Sequence, residues 1–154
     1  MMKGRYTAIA DGEFVLFLIG MRFNKWWRID KWFPVFLAMP RMLRELYKQP
    51  ELGFLHHEMW FSRTIILVQY WKSADQLIAY ANAKDSAHLP AWKAFHHAIK
   101  DESVGIRHET YVIKPGQYET IYANMPCFGL GAAMELQEAN GALARASTRM
   151  KAEG

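Results

Sequence analysis

The chain has 154 residues, which is enough for one domain with a substantial hydrophobic core. Hydrophobic residues make up 51% of it and aromatic residues 14%, so the body of the chain is not disordered. The net charge of +4 comes from scattered basic residues, not from the dense stripe of nucleic-acid-binding proteins. The single cysteine, Cys127, excludes an internal disulfide and a cysteine-rich zinc site.

The longest apolar run, Phe14 to Met21, has the length of a strand and is far too short to span a bilayer. Asp11 and Glu13 precede it and no small-residue cleavage site is present. We therefore expect neither a signal peptide nor a membrane partner. A cysteine-poor chain suits a reducing compartment, and we expect a cytoplasmic protein.

The first predicted strand runs from about Glu13 to Phe23 and is apolar on both faces as far as Gly20, which indicates a central strand covered on both sides. A helical stretch is predicted from about Lys31 to Gln49, with Asp30 as its N-cap. Pro40 lies inside this stretch, so we expect it to kink or split the helix.

Two strands, from about Leu52 to Trp60 and from Thr64 to Trp71, are close enough in sequence to form a hairpin. Ser73 and Gln76 have the spacing of a capping box, which predicts a helix from Ala74 to about Ala83. The remaining expected elements are a helix after Leu89-Pro90, strands at about 105–114 and 117–122, and a weak alanine-rich helix after Asn124.

This order predicts an α+β fold with a ferredoxin-like βαββαβ antiparallel sheet, one face of which is free for a partner or a pocket. We divide the chain into a loose N-terminal leader (1–12), the α+β barrel domain (13–123) and a C-terminal extension (124–154). RNA-recognition motifs share the strand order, but the strand at 64–71 lacks their Gly-aromatic octamer, so we expect no nucleic-acid partner.

Several sequence blocks resemble known families. The segment 70–73 (Tyr-Trp-Lys-Ser), followed by Leu77, Tyr80 and His88, resembles the strand-to-helix segment of antibiotic-biosynthesis-type monooxygenases. Other blocks resemble a small monooxygenase-like family of bacteria and fungi, and they are 20–27 (Gly-Met-Arg-Phe-Asn-Lys-Trp-Trp), 39–54, 88–92 (His-Leu-Pro-Ala-Trp), 122–126 and 128–131.

The resemblance covers roughly residues 13–131. It implies a dimeric α+β barrel, in which the sheets of a homodimer face each other and each subunit encloses a pocket for a small hydrophobic substrate. Fungal relatives are associated with the oxidation of secondary metabolites. The superfamily also includes heme-binding enzymes, namely heme-degrading oxygenases, chlorite dismutases and aldoxime dehydratases.

Two histidines are candidate catalytic residues. His88 comes just before Pro90 at the start of a helix, where an imidazole acts as a general base, as an axial heme ligand, or simply as a hydrogen-bond partner of the backbone. His108 shares a strand face with Ile106 and Thr110, so it either lines a pocket or pairs with a buried group.

Other residues are candidates for substrate binding. His56 and Glu58 share a strand face and are spaced to form an acid/base pair, with Trp60 further along the same face and His57 pointing the other way. Adjacent histidines diverge on a strand, so we expect no metal site.

Arg22 and Asn24 follow Gly20 at a strand end, where they either hold an anionic or carbonyl group of the substrate or anchor a loop. Trp92, with Trp60, is expected to shape the pocket.

We therefore expect an oxygenase without a cofactor of its own, acting on a small hydrophobic molecule in an aromatic-lined pocket. In this hypothesis His88 or His108 deprotonates the substrate, the carbanion reduces O2, and Arg22 and Asn24 stabilise the oxyanion. The first alternative is a heme b protein or heme enzyme with His88 or His108 as axial ligand. The second alternative is a non-catalytic binder of small molecules.

Overall fold

The computed structural model describes residues 1–83, 93, 100 and 102–151. Its larger sheet is antiparallel, with strand order β3-β4-β2-β5. These strands are β2 (Phe14–Phe23), β3 (Phe54–Trp60), β4 (Thr64–Trp71) and β5 (Val104–Ile113). The helices that lie between them are α1 (Ile29–Lys48) and α2 (Ala74–Asn82), and a 3-10 turn covers Pro50–Leu52. This is the predicted ferredoxin-like α+β fold.

A smaller antiparallel sheet has the order β6-β1-β7 and joins distant parts of the chain. Its strands are β1 (Arg5–Ile9), β6 (Tyr122–Ala123) and β7 (Glu135–Glu138). The short helices α3 (Leu130–Ala133) and α4 (Ala146–Arg149) and a 3-10 turn at Gly141–Ala144 complete the described elements. No helix of the described residues is both long and apolar enough to cross a membrane.

The larger sheet has two different faces, because side chains alternate along each strand. Along β4, Ile65, Leu67, Gln69 and Trp71 are buried and the residues between them are not. The buried side packs against α1 and α2 and is called the helix face below. The core cluster there includes Val15, Leu43, Leu46, Leu67, Trp71 and Leu77.

The opposite side is called the open face. At one end it is covered by the smaller sheet and α3, where Phe14 packs with Ala8 and Leu130. Elsewhere Leu16 and Leu18 are only half-buried and line a broad, shallow depression of about 450 Å³. The prediction that β2 is covered on both sides is therefore only partly right, because within one chain most of this face is uncovered.

Residues 1–12 are not a loose leader. Thr7, Ala8 and Ala10 are buried, and β1 pairs with β6 and β7. The backbone N–H of Ala8 donates to Thr120 Oγ1 at 2.8 Å, and that of Ala10 donates to Tyr118 Oη at 2.7 Å. The prediction failed because the partners that order this segment lie more than a hundred residues away in sequence.

The predictions for α1 need two corrections. Pro40 does not split the helix, which runs from Ile29 to Lys48 with both of its prolines inside. Asp30 is not the N-cap, since Arg28 holds that position and Asp30 lies in the first turn. The Asp30 carboxylate instead accepts hydrogen bonds from the Arg28 guanidinium at 3.0 and 2.9 Å, and these bonds lower the pKa of Asp30.

The bounds of β3, β4, β5 and α2 agree well with the predictions, whereas those of the elements after residue 116 do not. Ser73 is confirmed as the N-cap of α2, because the Gln76 N–H donates to Ser73 Oγ at 3.2 Å. The Gln76 side chain accepts from the Ser73 hydroxyl at 3.1 Å. The helix expected after Leu89-Pro90 lies outside the described residues. The strand expected at 117–122 is reduced to β6, and the weak helix expected after Asn124 is replaced by α3, β7 and α4.

Candidate functional site

The sheet separates the predicted site residues instead of gathering them. His56, Glu58 and Trp60 extend from β3 on the open face, opposite Tyr70, Val68 and Ile66 of β4. His108 extends from β5 on the helix face. Strands β3 and β5 are the two edges of the sheet, three strand spacings or roughly 14 Å apart. Within one chain, His56 and His108 therefore do not act on the same small molecule.

His56 and Glu58 form the pair that their spacing suggested. His56 Nε2 lies 3.1 Å from Glu58 Oε1, and the two side chains are 24% and 19% exposed. The same carboxylate oxygen accepts the backbone N–H of Gly129 at 2.9 Å. The rings of Trp60 and Phe128 are in edge contact with centroids 6.0 Å apart. These contacts attach the segment before α3 to the open face, so Glu58 has a structural role.

The next residues of this segment are held by two tyrosines. Gly131 donates its N–H to Tyr122 Oη at 2.9 Å, and the Leu130 backbone hydrogen-bonds to Tyr70. Burial raises the pKa of Tyr70 to about 12, with smaller contributions from Tyr122 and Glu58. Both hydroxyls therefore stay protonated at neutral pH and serve as neutral hydrogen-bonding groups.

Arg22 and Asn24 lie at the exposed end of β2 and anchor neighbouring loops. Arg22 donates to Thr64 Oγ1 at 3.1 Å, and the Asn24 N–H donates to the Ser103 carbonyl at 3.1 Å. Arg22 extends from the open face, away from α1. These contacts match the loop-anchoring interpretation of both residues.

The remaining candidates are two histidines and a tryptophan. His108 is exposed, with its ring 6.1 Å from that of Phe17 on the helix face. His88 and Trp92 lie outside the described residues. Among the described residues, no three His, Cys, Asp or Glu side chains lie close enough together to hold a metal ion.

An apolar pocket lies between α1 and the helix face and was missed by the sequence analysis. Its volume is about 80 Å³. The described residues that line it are all apolar, and they are Met21, Phe36, Met39, Pro40, Met59, Phe61 and Ile65. None of the predicted site residues that the structure describes is among them. The helical spacing of Phe36 and Met39 and the alternation of Met59 and Phe61 were detectable signals, but they are equally typical of a core.

A second feature that sequence reasoning missed is a tyrosine–histidine contact on the helix face. Tyr47 of α1 lies with its Oη 2.8 Å from His57 Nδ1 and 3.5 Å from His56 Nδ1. His57 is on the helix face, two residues from Met59 of the pocket. Burial, followed by repulsion from His56, lowers the pKa of His57, so its imidazole is neutral near pH 7.

We expect the free energy of unfolding to fall at acidic pH because His57 becomes protonated. Its folded-state pKa is below the ordinary value of 6.5, so the unfolded chain binds the proton more tightly. The stability that its neutral form contributes is fully present above about pH 6.5 and falls as the pH drops towards the folded-state pKa. Urea unfolding at about pH 7 and pH 5 should therefore show a smaller loss of stability for His57→Gln than for the wild type.

His108→Gln, which removes an exposed imidazole, is the matched control for the loss of a histidine side chain. An equal loss of stability in His57→Gln and wild type would show that His57 titrates alike in the folded and unfolded states.

Comparisons with known proteins place the chain in a family. The family model described as monooxygenase af470-like matches residues 14–130. No protein of curated function matches the chain in sequence.

Two solved structures of aldoxime dehydratases share the fold. The aldoxime dehydratase OxdRE, in complex with butyraldoxime, matches with a TM-score of 0.60 and 17% identity over 98% of this chain and 43% of that chain. A second aldoxime dehydratase matches with a TM-score of 0.52 and 19% identity over 97% of this chain and 43% of that chain. The chain thus spans less than half the length of these two enzymes.

A third structure is SnoaB, a cofactor-independent oxygenase from Streptomyces nogalater. Its TM-score is 0.47 and its identity 14%, over 64% of this chain and 91% of that chain. The family match, which covers most of the chain, confirms the resemblance first seen in the sequence blocks. The chain therefore belongs to the monooxygenase af470-like family.

Proposed function

We propose that the protein is an oxygenase that oxidises a small apolar molecule bound between α1 and the helix face, without a metal of its own. Membership of a monooxygenase-like family supports the reaction class. The observation that carries the proposal is the pocket whose described lining is apolar, because such a pocket favours apolar groups over water.

The pocket must widen to admit a substrate. Its volume of about 80 Å³ is below the roughly 300 Å³ at which pockets for drug-sized ligands begin. Met21, Met39 and Met59 make up much of the lining, and methionine is unbranched and turns easily about its side-chain bonds. Rotation of these side chains enlarges the pocket without moving the strands.

In the proposed reaction a helix-face imidazole removes a proton from an acidic C–H of the substrate. The carbanion transfers two electrons to O2 and forms a C–OOH group, which loses water and leaves a carbonyl, so that CH2 + O2 gives C=O + H2O. The substrate supplies the electrons. Two described histidines lie on this face. His57 is two residues from Met59 on β3, and His108 is two residues from Ile106, which pairs with Met21 across the strands. His88 is the further candidate base.

Filling the pocket tests the proposal. We expect the wild type to consume O2 with at least one member of a panel of apolar compounds that carry an acidic CH2 group. Met39→Trp should lower that rate about tenfold or more, because the added ring occupies the space of the substrate. Overpacking should cost about 1–3 kcal/mol of stability, so urea unfolding must confirm that the variant is folded.

Ile78→Trp, at a position of α2 that is 56% exposed, is the matched control and should keep the wild-type rate. Failure of the wild type to consume O2 with every compound, or full activity of Met39→Trp, would contradict the proposal. Binding of the panel without O2 uptake would favour the non-catalytic alternative.

The heme alternative finds less support in this pocket. A porphyrin is larger than the ligands for which pockets of roughly 300 Å³ are typical, whereas this pocket has a volume of about 80 Å³. That alternative depends instead on His108, which is exposed, or on His88.

We also propose that two copies associate through their open faces. The half-buried Leu16 and Leu18 and the 48%-exposed Tyr111 form an apolar surface there that a second sheet would cover. Sedimentation equilibrium that shows only monomer at micromolar concentration would contradict this assembly.

A further inference from the structure

One end of the molecule carries an unusually exposed group of large apolar side chains. Trp26 is 69% exposed and Phe61 67%, although burial of such rings is strongly favoured in a soluble domain. We call this group the aromatic end patch, and it consists of Trp26, Trp27, Ile29, Phe33, Leu37 and Phe61.

Ring contacts join the aromatic side chains of the patch. Trp32 connects its parts, since its Nε1 donates to the Trp26 carbonyl at 2.9 Å and its ring lies 5.9 Å from Phe33 and 6.4 Å from Phe36. Phe36 in turn contacts Phe61, with ring centroids 6.5 Å apart. The exposed rings are therefore presented by the β2–α1 loop, the start of α1 and the β3–β4 turn together.

The charges around the patch are mostly positive. The described basic residues there are Lys25, Arg28, Lys31 and Arg63, and the described acidic ones are Asp30 and Glu102. Arg63 belongs to this end because its backbone carbonyl accepts the Phe23 N–H at 3.0 Å. Glu102 belongs to it because the neighbouring Ser103 carbonyl accepts the N–H groups of Asn24 and Lys25. Basic side chains thus flank the exposed rings.

We propose that the aromatic end patch docks on the surface of an anionic phospholipid membrane. Tryptophan favours the headgroup region of bilayers, and an apolar surface flanked by lysine and arginine is typical of proteins that lie on anionic lipids. The mostly positive rim favours this occupant over a second copy of the chain, whose identical rim would repel it. Such docking needs no membrane-spanning helix, which is the only kind of membrane contact that the sequence analysis considered.

Phe61 connects this surface to the apolar pocket, because it belongs to the patch and also lines the pocket. A membrane-dissolved apolar molecule therefore has a short path to the proposed oxidation site. This last point rests on the proposed function, whereas lipid docking does not.

Vesicle co-sedimentation tests the docking. We expect the wild type to sediment with vesicles of phosphatidylcholine and phosphatidylserine, and only weakly with phosphatidylcholine alone. Trp26→Ala/Trp27→Ala should abolish sedimentation. Lys31→Gln/Arg63→Gln should weaken it about fivefold for each basic residue removed. Brominated lipid should quench the tryptophan fluorescence of the wild type more than that of the double tryptophan variant.

Two matched variants serve as controls. Ile78→Ala removes an exposed apolar side chain on α2, and Lys72→Gln/Lys114→Gln removes the same net charge from other surfaces. Both should bind vesicles nearly as well as the wild type.

Three results would overturn the proposal. The first is that the wild type does not sediment with anionic vesicles. The second is that Lys31→Gln/Arg63→Gln and Lys72→Gln/Lys114→Gln weaken vesicle binding equally. The third is that the protein forms a dimer without lipid and that Trp26→Ala/Trp27→Ala converts this dimer to monomer. The vesicle measurements need no enzymatic turnover. The test of lipid docking is therefore independent of the O2-consumption test with Met39→Trp.

Discussion

Replacement of Trp71 by alanine is expected to lower the free energy of unfolding by about 3–5 kcal/mol. Trp71 is only 1% exposed, and its ring contacts Phe54 of β3 and Tyr80 of α2 with centroids 5.4 and 5.7 Å away. Its Nε1 also donates to the buried Gln69 Oε1 at 2.9 Å. Alanine leaves a cavity at the centre of the core and an amide oxygen without this donor.

Urea unfolding followed by circular dichroism measures this effect. Trp26→Ala is the matched control, because Trp26 is 69% exposed and its removal should change the stability by less than about 0.5 kcal/mol. Similar losses in the two variants would show that Trp71 does not occupy a tightly packed site.

The second large effect is expected at a buried ion pair that holds the end of the described chain in place. Arg149 is 8% exposed, and its guanidinium donates to Glu119 Oε1 and to the Leu143 carbonyl. Removal of one partner of a buried pair leaves a charge without compensation, which costs about 3–5 kcal/mol. Because Glu119 is about one quarter exposed, we expect Glu119→Ala to cost close to 3 kcal/mol.

Release of the short helix α4 is the expected structural consequence. Hydrogen exchange at residues 141–151 should be faster in Glu119→Ala, and urea unfolding should give the free-energy change. Glu109→Ala is the matched control, since Glu109 also pairs with an arginine, but both side chains of that pair are 41–50% exposed. Its expected cost is below about 1 kcal/mol. Equal effects of the two variants would show that burial of Arg149 does not matter.

Residue contacts that are local in sequence were predicted well. The apolar run from Thr64 to Trp71 predicted the bounds of β4, and the spacing of Ser73 and Gln76 predicted the start of α2. The i, i+2 spacing of His56 and Glu58 likewise predicted their contact. In each case the physical cause lies within a few residues, so the sequence pattern contains it.

Long-range contacts were not predictable in this way. Strand β1 is short and contains small residues, and its order depends on Thr120, Tyr118 and β7. Glu58 was predicted to bind substrate. Nothing near it in sequence shows that its carboxylate accepts a hydrogen bond from the Gly129 N–H.

By itself the sequence determined the family, the order of the strands of the larger sheet with α1 and α2, and which side chains share a face of each strand. Only the tertiary structure decided which face the helices cover, and thereby placed His57 on the same face as the pocket and His56 on the other side of the sheet. The reason is that periodicity follows from the geometry of one strand. The environment of a face depends instead on elements that pack against it from distant parts of the chain.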